Sequence, residues 1–198
     1  MLRFALVGCG RIAAKHAEIL GSGLLPGARL AAVCDVREQA ARALGEKYRV
    51  PWYTDMHEMM AATEPDVVSI LTESGLHARH CLELVRYGKH IVVEKPMALT
   101  LEDADAMIRA CDLAGVKLFV VKQNRYNVPV QAMRRAFDAG RFGRIVMGSV
   151  RVRWCRTQGY YDQAPWRGTW SLDGGVFANQ ANTDRKSTRL NSSHITIS

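Results

Sequence analysis

The sequence predicts an α/β fold, in which a doubly wound parallel sheet is followed by the beginning of a second α/β unit. Short apolar runs alternate with helical stretches over residues 1–122, as is typical of parallel strands covered by helices on both faces. Glycines stand between several of these runs, where turns are expected. We therefore divide the chain into a first domain over 1–122, an incomplete second domain over 123–181 and a tail over 182–198.

Each element of the first domain is predicted from the spacing of its apolar residues. Strands are predicted where short apolar runs lack helical spacing, at Leu2 to Val7, Arg29 to Cys34, Val67 to Leu71, His90 to Val93 and Lys117 to Val121. Helices are predicted where the spacing is helical, at Arg11 to Leu20, Arg37 to Glu46, Leu76 to Arg86, Leu101 to Leu113 and, at the start of the second domain, Val130 to Ala139.

The second domain is predicted to continue with one long strand. Residues 144–156 alternate, with Val146, Gly148, Val150, Val152 and Trp154 on one face, which predicts a half-buried strand of an open, mostly antiparallel sheet. The tail is polar, rich in Ser and Thr, and has neither period. We interpret it as sequence foreign to the native protein, joined where the second domain is cut off. A genuine disordered terminus is the alternative.

Composition narrows the class of protein. Of the 198 residues, 48% are hydrophobic, enough to form a core, and no apolar run approaches the ~20 residues of a membrane span. The first residues lack the pattern of a signal peptide, so we expect a cytoplasmic protein without a membrane partner. The net charge of +8 suits an anionic small ligand, with an ordinary solvated surface rich in Lys and Arg as the alternative. No basic run interleaved with aromatics indicates nucleic acid. Five cysteines without metal-ligand spacing indicate free thiols and no metal site.

A glycine turn after the first strand indicates a dinucleotide site. Gly8-Cys9-Gly10-Arg11-Ile12-Ala13 joins strand to helix, so that Gly8 permits a tight turn and Gly10 lets the backbone approach a pyrophosphate. The helix N-terminus, beginning with Arg11 and Ile12, offers N–H groups and partial positive charge to the phosphates. A purely structural turn in another α/β fold is the alternative.

The second predicted strand ends in an acidic residue, at nearly the distance from the glycine turn that is typical of a ribose-binding acid. Asp35 lies 25 residues after Gly10. A carboxylate there accepts hydrogen bonds from the ribose hydroxyls and repels a 2′-phosphate, which favours NAD over NADP. Arg37, two residues later, softens that preference.

A lysine at the end of another buried strand is the candidate catalytic group. Glu94-Lys95-Pro96 follows an apolar run, and ligands bind at the carboxyl edge of open α/β sheets. Lys95 is placed to hydrogen-bond a substrate hydroxyl and assist its deprotonation, provided that the pKa of Lys95 is lowered. We expect Glu94 to orient it. An ordinary surface turn is the alternative.

These motifs together resemble those of the Gfo/Idh/MocA oxidoreductases, over Leu2 to about Ala181. The glycine turn matches the family's nucleotide turn, and Thr72-Glu73-Ser74-Gly75-Leu76-His77 occupies its strand-end loop beside the cofactor, more usually Thr-Pro-Asn-x-x-His. Glu94-Lys95-Pro96 matches the family hallmark, whose lysine is assigned to catalysis. Trp166-Arg167 matches a pair often found near the cofactor diphosphate.

The resemblance implies a Rossmann fold that binds NAD, with Lys95 as the catalytic residue and no metal. The cofactor-binding residues that it implies are Gly8, Gly10, Arg11, Ile12, Asp35, Thr72, Ser74, His77, Glu94, Lys95, Gln123, Trp166 and Arg167. The substrate-binding residues that it implies are Lys95, Asn124, Arg156, Tyr160, Asn179 and Gln180.

Within the family, the chain resembles members that oxidise the C3 hydroxyl of a UDP-N-acetylglucosaminuronate-type sugar nucleotide, using NAD, in surface-polysaccharide synthesis. The alternatives are another sugar or inositol dehydrogenase of the family and a non-catalytic dinucleotide-binding protein. The family's histidine after Ala181 has no counterpart here, so we expect this chain to be inactive as it stands. The resemblance implies a homodimer or homotetramer for the full-length protein.

Overall fold

Six parallel strands organise the part of the chain that this computed structural model describes, namely residues 1–149, 153 and 155–179. The strands are β1 (Leu2–Val7), β2 (Ala28–Cys34), β3 (Trp52–Tyr53), β4 (Val67–Ile70), β5 (His90–Val93) and β6 (Leu118–Val120). They lie in the order β3-β2-β1-β4-β5-β6, and every neighbouring pair is parallel. The order reverses between β1 and β4, and ligands of such sheets bind at this switch point.

Helices follow most of the strands. Those in the described residues are α1 (Arg11–Gly21), α2 (Glu38–Tyr48), α3 (Met56–Thr63), α4 (His77–Leu84), α5 (Leu101–Leu113), α6 (Val128–Asp138), α7 (Gln158–Tyr161) and α8 (Gly175–Asn179). Short 3-10 turns lie at Ser74–Leu76, Val85–Tyr87 and Gln123–Tyr126. The Asp55 carboxylate caps α3 by accepting hydrogen bonds from two backbone N–H groups. None of these helices is long and apolar enough to cross a membrane.

Apolar side chains cover both faces of the sheet. One cluster joins α3, α4 and α5 to the sheet through residues that include Met59, Leu84, Met107, Ile70 and Val93. The other joins α1 to the opposite face through residues that include Leu6, Ala13, Ala17, Leu30 and Val33. Because successive strand residues point to opposite faces, two-sided burial explains why the strands are mostly apolar rather than alternating.

The fold confirms the predicted doubly wound sheet. The bounds of β1, β5 and α5 are those predicted, while the helix predicted over 76–86 is divided into a 3-10 turn, α4 and a second 3-10 turn. In the first domain, the strand β3 and the helix α3 were not predicted, and after it the short helices α7 and α8 were not predicted either. Two residues are too few to show a strand period, and the apolar stripe of α3 is weak.

The strand predicted over 144–156 is wrong for the described residues. Residues 144–149, 153, 155 and 156 form no strand. A β-strand needs a neighbouring strand to which it can hydrogen-bond, and the described residues after β6 contain no strand that could pair with it. Three members of the predicted apolar face (Val150, Val152 and Trp154) and the tail over 182–198 lie outside the described residues.

Candidate functional site

The carboxyl ends of β1, β4 and β5 meet at one edge of the sheet. Val7 of β1 is in register with Ile70 of β4, and Ile70 is in register with Val93 of β5. The loops that follow these strands therefore lie side by side. They carry the glycine turn, the Thr72–His77 loop and the Glu94–Pro96 motif, so the fold gathers the three motifs at one edge.

The glycine turn after β1 packs tightly against the backbone at the end of β4. Gly8 has a φ of +98°, and its N–H donates to the carbonyl of Cys34 at 2.8 Å. A Cβ at Gly8 would lie 2.8 Å from the carbonyl carbon of Leu71, so only glycine fits. A Cβ at Gly10 would meet no described atom within 4 Å, which leaves open the role predicted from the sequence, approach to a pyrophosphate. Arg11 and Ile12 are exposed at the start of α1.

The Asp35 carboxylate lies beside this turn and is surrounded by donors. Its Oδ2 accepts a hydrogen bond from the backbone N–H of Cys9 at 2.8 Å. Its Oδ1 accepts from the backbone N–H of Arg37 at 2.9 Å and from the Arg37 Nε at 3.2 Å. The carboxylate thus connects the dinucleotide turn to the end of β2, and it forms an ion pair with Arg37.

Lys95 reaches across to the last helix described. Its ammonium donates to the Asn179 side-chain oxygen at 2.9 Å and to the Asn179 carbonyl at 3.2 Å. Burial lowers the pKa of Lys95 below its usual value, and the opposing influence of Glu94, Tyr160 and Asp173 does not restore it. A lysine with a lowered pKa is what proton transfer near neutral pH requires. The Lys95–Pro96 peptide bond is cis.

The Glu94 side chain does not hydrogen-bond to the Lys95 ammonium; it is buried and faces α1. Its Oε1 lies 3.0 Å from Nε2 of His16, and its Oε2 accepts the backbone N–H of Lys95 at 3.1 Å. Glu94 therefore orients the loop through the backbone. His16 was not a predicted site residue, because the two residues are 78 positions apart and neither helix period nor strand period signals their contact.

His77 joins two of the loops and is almost fully buried, with 1% of its surface exposed. Its Nδ1 lies 2.7 Å from the Pro96 carbonyl oxygen, and its Nε2 lies 3.0 Å from the Thr72 carbonyl oxygen. Burial lowers the pKa of His77, against the effect of these two carbonyls. The low exposure of the His77 ring does not support its predicted contact with the cofactor. The ring instead connects the two loops through its hydrogen bonds. Ser74 is also buried.

The segment over 166–179 packs against the Thr72–His77 loop. The N–H of Gly75 donates to the Leu172 carbonyl at 2.9 Å, and a Cβ at Gly75 would overlap the Ser171 carbonyl oxygen. The Asn179 amide donates to the Asp173 carboxylate, which also accepts the N–H of Gly168 at 2.7 Å. This docking brings Asn179 to Lys95.

Two arginines converge on one tyrosine in the same region. The guanidinium carbon of Arg156 lies 4.7 Å from the Tyr160 ring centre, and that of Arg167 lies 4.3 Å from it. The Arg167 guanidinium is also 5.2 Å from the Trp166 ring. Residues predicted separately for cofactor and for substrate are therefore neighbours, and the cluster carries two positive charges suited to an anionic group.

Of the three remaining predicted site residues, two lie at the sheet edge and one is outside the described residues. Gln123 and Asn124 lie in the 3-10 turn that follows β6, at the same edge of the sheet. Gln180 lies outside the described residues.

The described residues contain no group of three or more His, Cys, Asp or Glu side chains arranged to hold a metal ion. All five cysteines are free: Cys34, Cys81 and Cys111 are buried, Cys9 is partly buried, and Cys155 is exposed.

Two family models match the chain. The first is described as an oxidoreductase family with an NAD-binding Rossmann fold and matches residues 2–122. The second is described as a GFO/IDH/MocA C-terminal domain and matches residues 130–182. A D-apiose dehydrogenase from Paraburkholderia graminis is 36% identical over 151 residues, which are 75% of this chain and 40% of the relative.

Two solved structures are also similar, both WlbA dehydrogenases in complex with NADH and UDP-GlcNAcA. The enzyme from Bordetella pertussis is 44% identical with a TM-score of 0.86, over 92% of this chain and 55% of that one. The enzyme from Chromobacterium violaceum is 46% identical with a TM-score of 0.87, over 92% of this chain and 52% of that one. The chain thus spans about half the length of these proteins. Since the first family model alone matches more than half of it, the chain belongs to the Gfo/Idh/MocA oxidoreductases and has their NAD-binding Rossmann fold.

Proposed function

We propose that the full-length protein is an NAD-dependent dehydrogenase that oxidises the C3 hydroxyl of a UDP-N-acetylglucosaminuronate-type sugar nucleotide in the cytoplasm, for surface-polysaccharide synthesis. The observation that carries this proposal is Lys95, an ammonium with a lowered pKa at the sheet edge that also carries the glycine turn. The likeness to two structures that hold NADH and UDP-GlcNAcA supports the choice of substrate.

The residues at the sheet edge fit a dinucleotide. Gly8 lets the chain turn close against the backbone at the end of β4, and the first turn of α1 presents N–H groups to a pyrophosphate. Asp35 is positioned by the Cys9 N–H beside that turn, where a ribose hydroxyl could donate to it. We assign NAD to residues 1–122 and substrate binding mainly to residues 123–181. NAD, when bound, supplies the acceptor for the hydride.

The role that we assign to Lys95 is to hold and remove the proton of the substrate hydroxyl. Its lowered pKa increases the fraction of neutral amine that can accept this proton. Asn179 fixes the direction of the amine through its side-chain oxygen. Neither group supplies the oxidation itself, which needs the bound dinucleotide.

The arginine cluster supports an anionic substrate. Arg156 and Arg167 on the Tyr160 ring suit a diphosphate or a carboxylate, and a sugar nucleotide of the proposed class carries both. We further assign substrate contacts to Asn124, Asn179 and Gln180, in keeping with the family resemblance.

The test uses the full-length protein and measures NADH formation with UDP-GlcNAcA, myo-inositol and a free sugar. Turnover of UDP-GlcNAcA in clear preference to the others is the expected result. Preference for myo-inositol would favour the second candidate, which relatives such as the inositol 2-dehydrogenase of Rhizobium meliloti support at 34% identity. Binding of NAD without turnover of any of them would reject the dehydrogenase assignment.

Lys95→Met tests the assigned chemistry. We expect turnover to fall by about 10²–10⁴-fold, the usual contribution of a general base, while NAD affinity changes little. Lys117→Met is the matched control, because Lys117 is exposed and lies before β6 at the opposite edge of the sheet. Wild-type turnover in Lys95→Met would refute a catalytic Lys95.

A further inference from the structure

The Glu94 carboxylate is shared between helix α1 and the loop that carries Lys95. The Glu94 side chain is 10% exposed, and the His16 side chain that contacts it is 19% exposed. Oε1 of Glu94 lies 3.0 Å from Nε2 of His16, while Oε2 accepts the backbone N–H of Lys95 at 3.1 Å. Because an ionised carboxylate accepts hydrogen bonds but cannot donate them, the His16 ring donates through Nε2. One oxygen is therefore tied to α1 and the other to the backbone of the loop.

The Lys95 ammonium has a different hydrogen-bond partner, although Glu94 is its neighbour in the chain. It donates to the Asn179 side-chain oxygen at 2.9 Å. The Glu94 carboxylate forms its side-chain contact with His16 instead. A direct contact between the carboxylate and the ammonium would stabilise the charged form of Lys95 and leave less neutral amine to accept a proton near neutral pH. The direction of the Glu94 side chain therefore affects the role assigned to Lys95.

Several charged or titratable groups act on the Lys95 ammonium. Burial has the largest effect and lowers the pKa of Lys95, and Arg11 lowers it as well. Glu94 has the largest opposing effect, followed by Tyr160 and Asp173. Because the attraction between opposite charges grows as they approach, a movement of Glu94 toward the ammonium would be the most direct way to offset the burial.

We propose that His16 is a positioning residue of the Lys95 site, which holds the Glu94 carboxylate against α1 and so keeps it from forming an ion pair with the Lys95 ammonium. His16 acts through Glu94 and has no assigned contact with substrate or cofactor. It stands on the helix that begins at the glycine turn, so the element proposed to receive the pyrophosphate also fixes this carboxylate. The inference rests on the proposed function, because it affects catalysis only if Lys95 is the base.

The test is an NMR titration of ¹³C-methylated lysines in this chain, which follows Lys95 directly. His16→Leu removes the donor and keeps an apolar side chain in its place. His16→Gln retains an N–H donor, because the amide nitrogen of glutamine is as far along the side chain as the Nε2 of histidine. His57→Leu is the matched control, since it removes another histidine–glutamate contact, 3.4 Å from Nε2 of His57 to Oε2 of Glu83, that does not involve Glu94.

We expect His16→Leu to move the Lys95 titration to higher pH, because the released carboxylate can turn toward the ammonium. His16→Gln and His57→Leu should titrate as the wild type does. When Glu94→Gln has already removed the negative charge, His16→Leu should cause no further shift. In the full-length protein, His16→Leu should lower the rate of NADH formation near neutral pH and regain it at higher pH, with the KM for NAD⁺ retained.

An unchanged Lys95 titration in His16→Leu would overturn the inference. An equal shift in His16→Gln would also overturn it, because the effect would then come from packing rather than from the hydrogen bond. Should His16→Leu fail to fold, His16→Asn takes its place, since its shorter amide cannot reach the carboxylate, and the same two outcomes decide. The titration needs neither NAD nor substrate. Failure of the proposed function would therefore appear separately, as a wild-type full-length protein without turnover.

Discussion

The Lys95 ammonium is held by a neutral amide rather than by a carboxylate. The Asn179 oxygen at 2.9 Å accepts its hydrogen bond without adding a negative charge. Burial can therefore lower the pKa of Lys95 without a carboxylate in direct contact to raise it. The Asp173 carboxylate is linked to Lys95 through Asn179, because it accepts a hydrogen bond from the Asn179 amide.

Asn179→Asp should raise the pKa of Lys95, because a carboxylate in contact stabilises the charged ammonium. If Lys95 is the base of the proposed dehydrogenase, the alkaline rise of its activity should then move to higher pH. In this chain the shift is measurable by NMR titration of ¹³C-methylated lysines. Asn127→Asp, at an exposed turn before α6, makes the same change away from Lys95. An unchanged Lys95 titration would show that Asn179 does not set its environment.

α4 contains two buried histidines. It begins with His77 and contains His80, and burial lowers the pKa of both. The unfolded chain therefore binds more protons than the folded chain once pH falls below the ordinary histidine value. Each histidine contributes stability that is complete above that value and declines as pH falls toward the lowered folded pKa.

We expect the free energy of unfolding to fall when pH is lowered from about 7.5 to about 5.5. His77→Gln should weaken this dependence, because glutamine has no proton to bind in that range. Urea unfolding at the two pH values measures the difference, with His90→Gln on β5 as control. If His77→Gln keeps the wild-type pH dependence, the buried imidazole is not its source.

The contact of the 166–179 segment with the Thr72–His77 loop depends on one glycine. Gly75→Ala should displace the segment, because its Cβ would overlap the Ser171 carbonyl. We expect faster cleavage by trypsin after Arg167 and loss of the Asn179 contact to Lys95. Gly159→Ala is the control, since the nearest atom to its Cβ is 4.0 Å away. Equal cleavage rates in the two variants would contradict the proposed dependence.

The sequence predicted elements well where burial imposes a simple pattern. β1 and β5 are mostly apolar runs that are covered on both faces, so their bounds follow from the local sequence pattern. β3, with two residues, has no period to detect. The site was predictable as a set of motifs, because strand ends of a parallel sheet share one edge. Its pairings, such as Glu94 with His16, were not, because they depend on how α1 packs against β5.

At the scale of the whole molecule, the described residues after β6 expose much apolar surface. α6 contains no buried residue, and Val146 and Met147 are 83% and 84% exposed. Large exposed apolar patches are typical of interfaces between subunits or domains. This agrees with a chain that spans about half of its structural relatives, and the homodimer or homotetramer proposed for the full-length protein remains a prediction.

We expect the isolated chain to self-associate as its concentration rises, because these surfaces can bury one another. Light scattering coupled to size exclusion would then give a mass above 22.0 kDa that grows with loading. The double substitution Val146→Ser and Met147→Ser should reduce the association. A monodisperse monomer at every concentration would refute the expectation.

The five thiols differ in exposure, so chemical labelling of the chain is selective for one cysteine. Burial and the nearby Asp35 raise the pKa of Cys9 to about 12, and Cys34, Cys81 and Cys111 are shielded within the core. Maleimides react with thiolates that they can reach. A maleimide dye added to the unaltered protein would therefore attach at Cys155 and provide a fluorescent reporter beside Arg156, without any engineered cysteine.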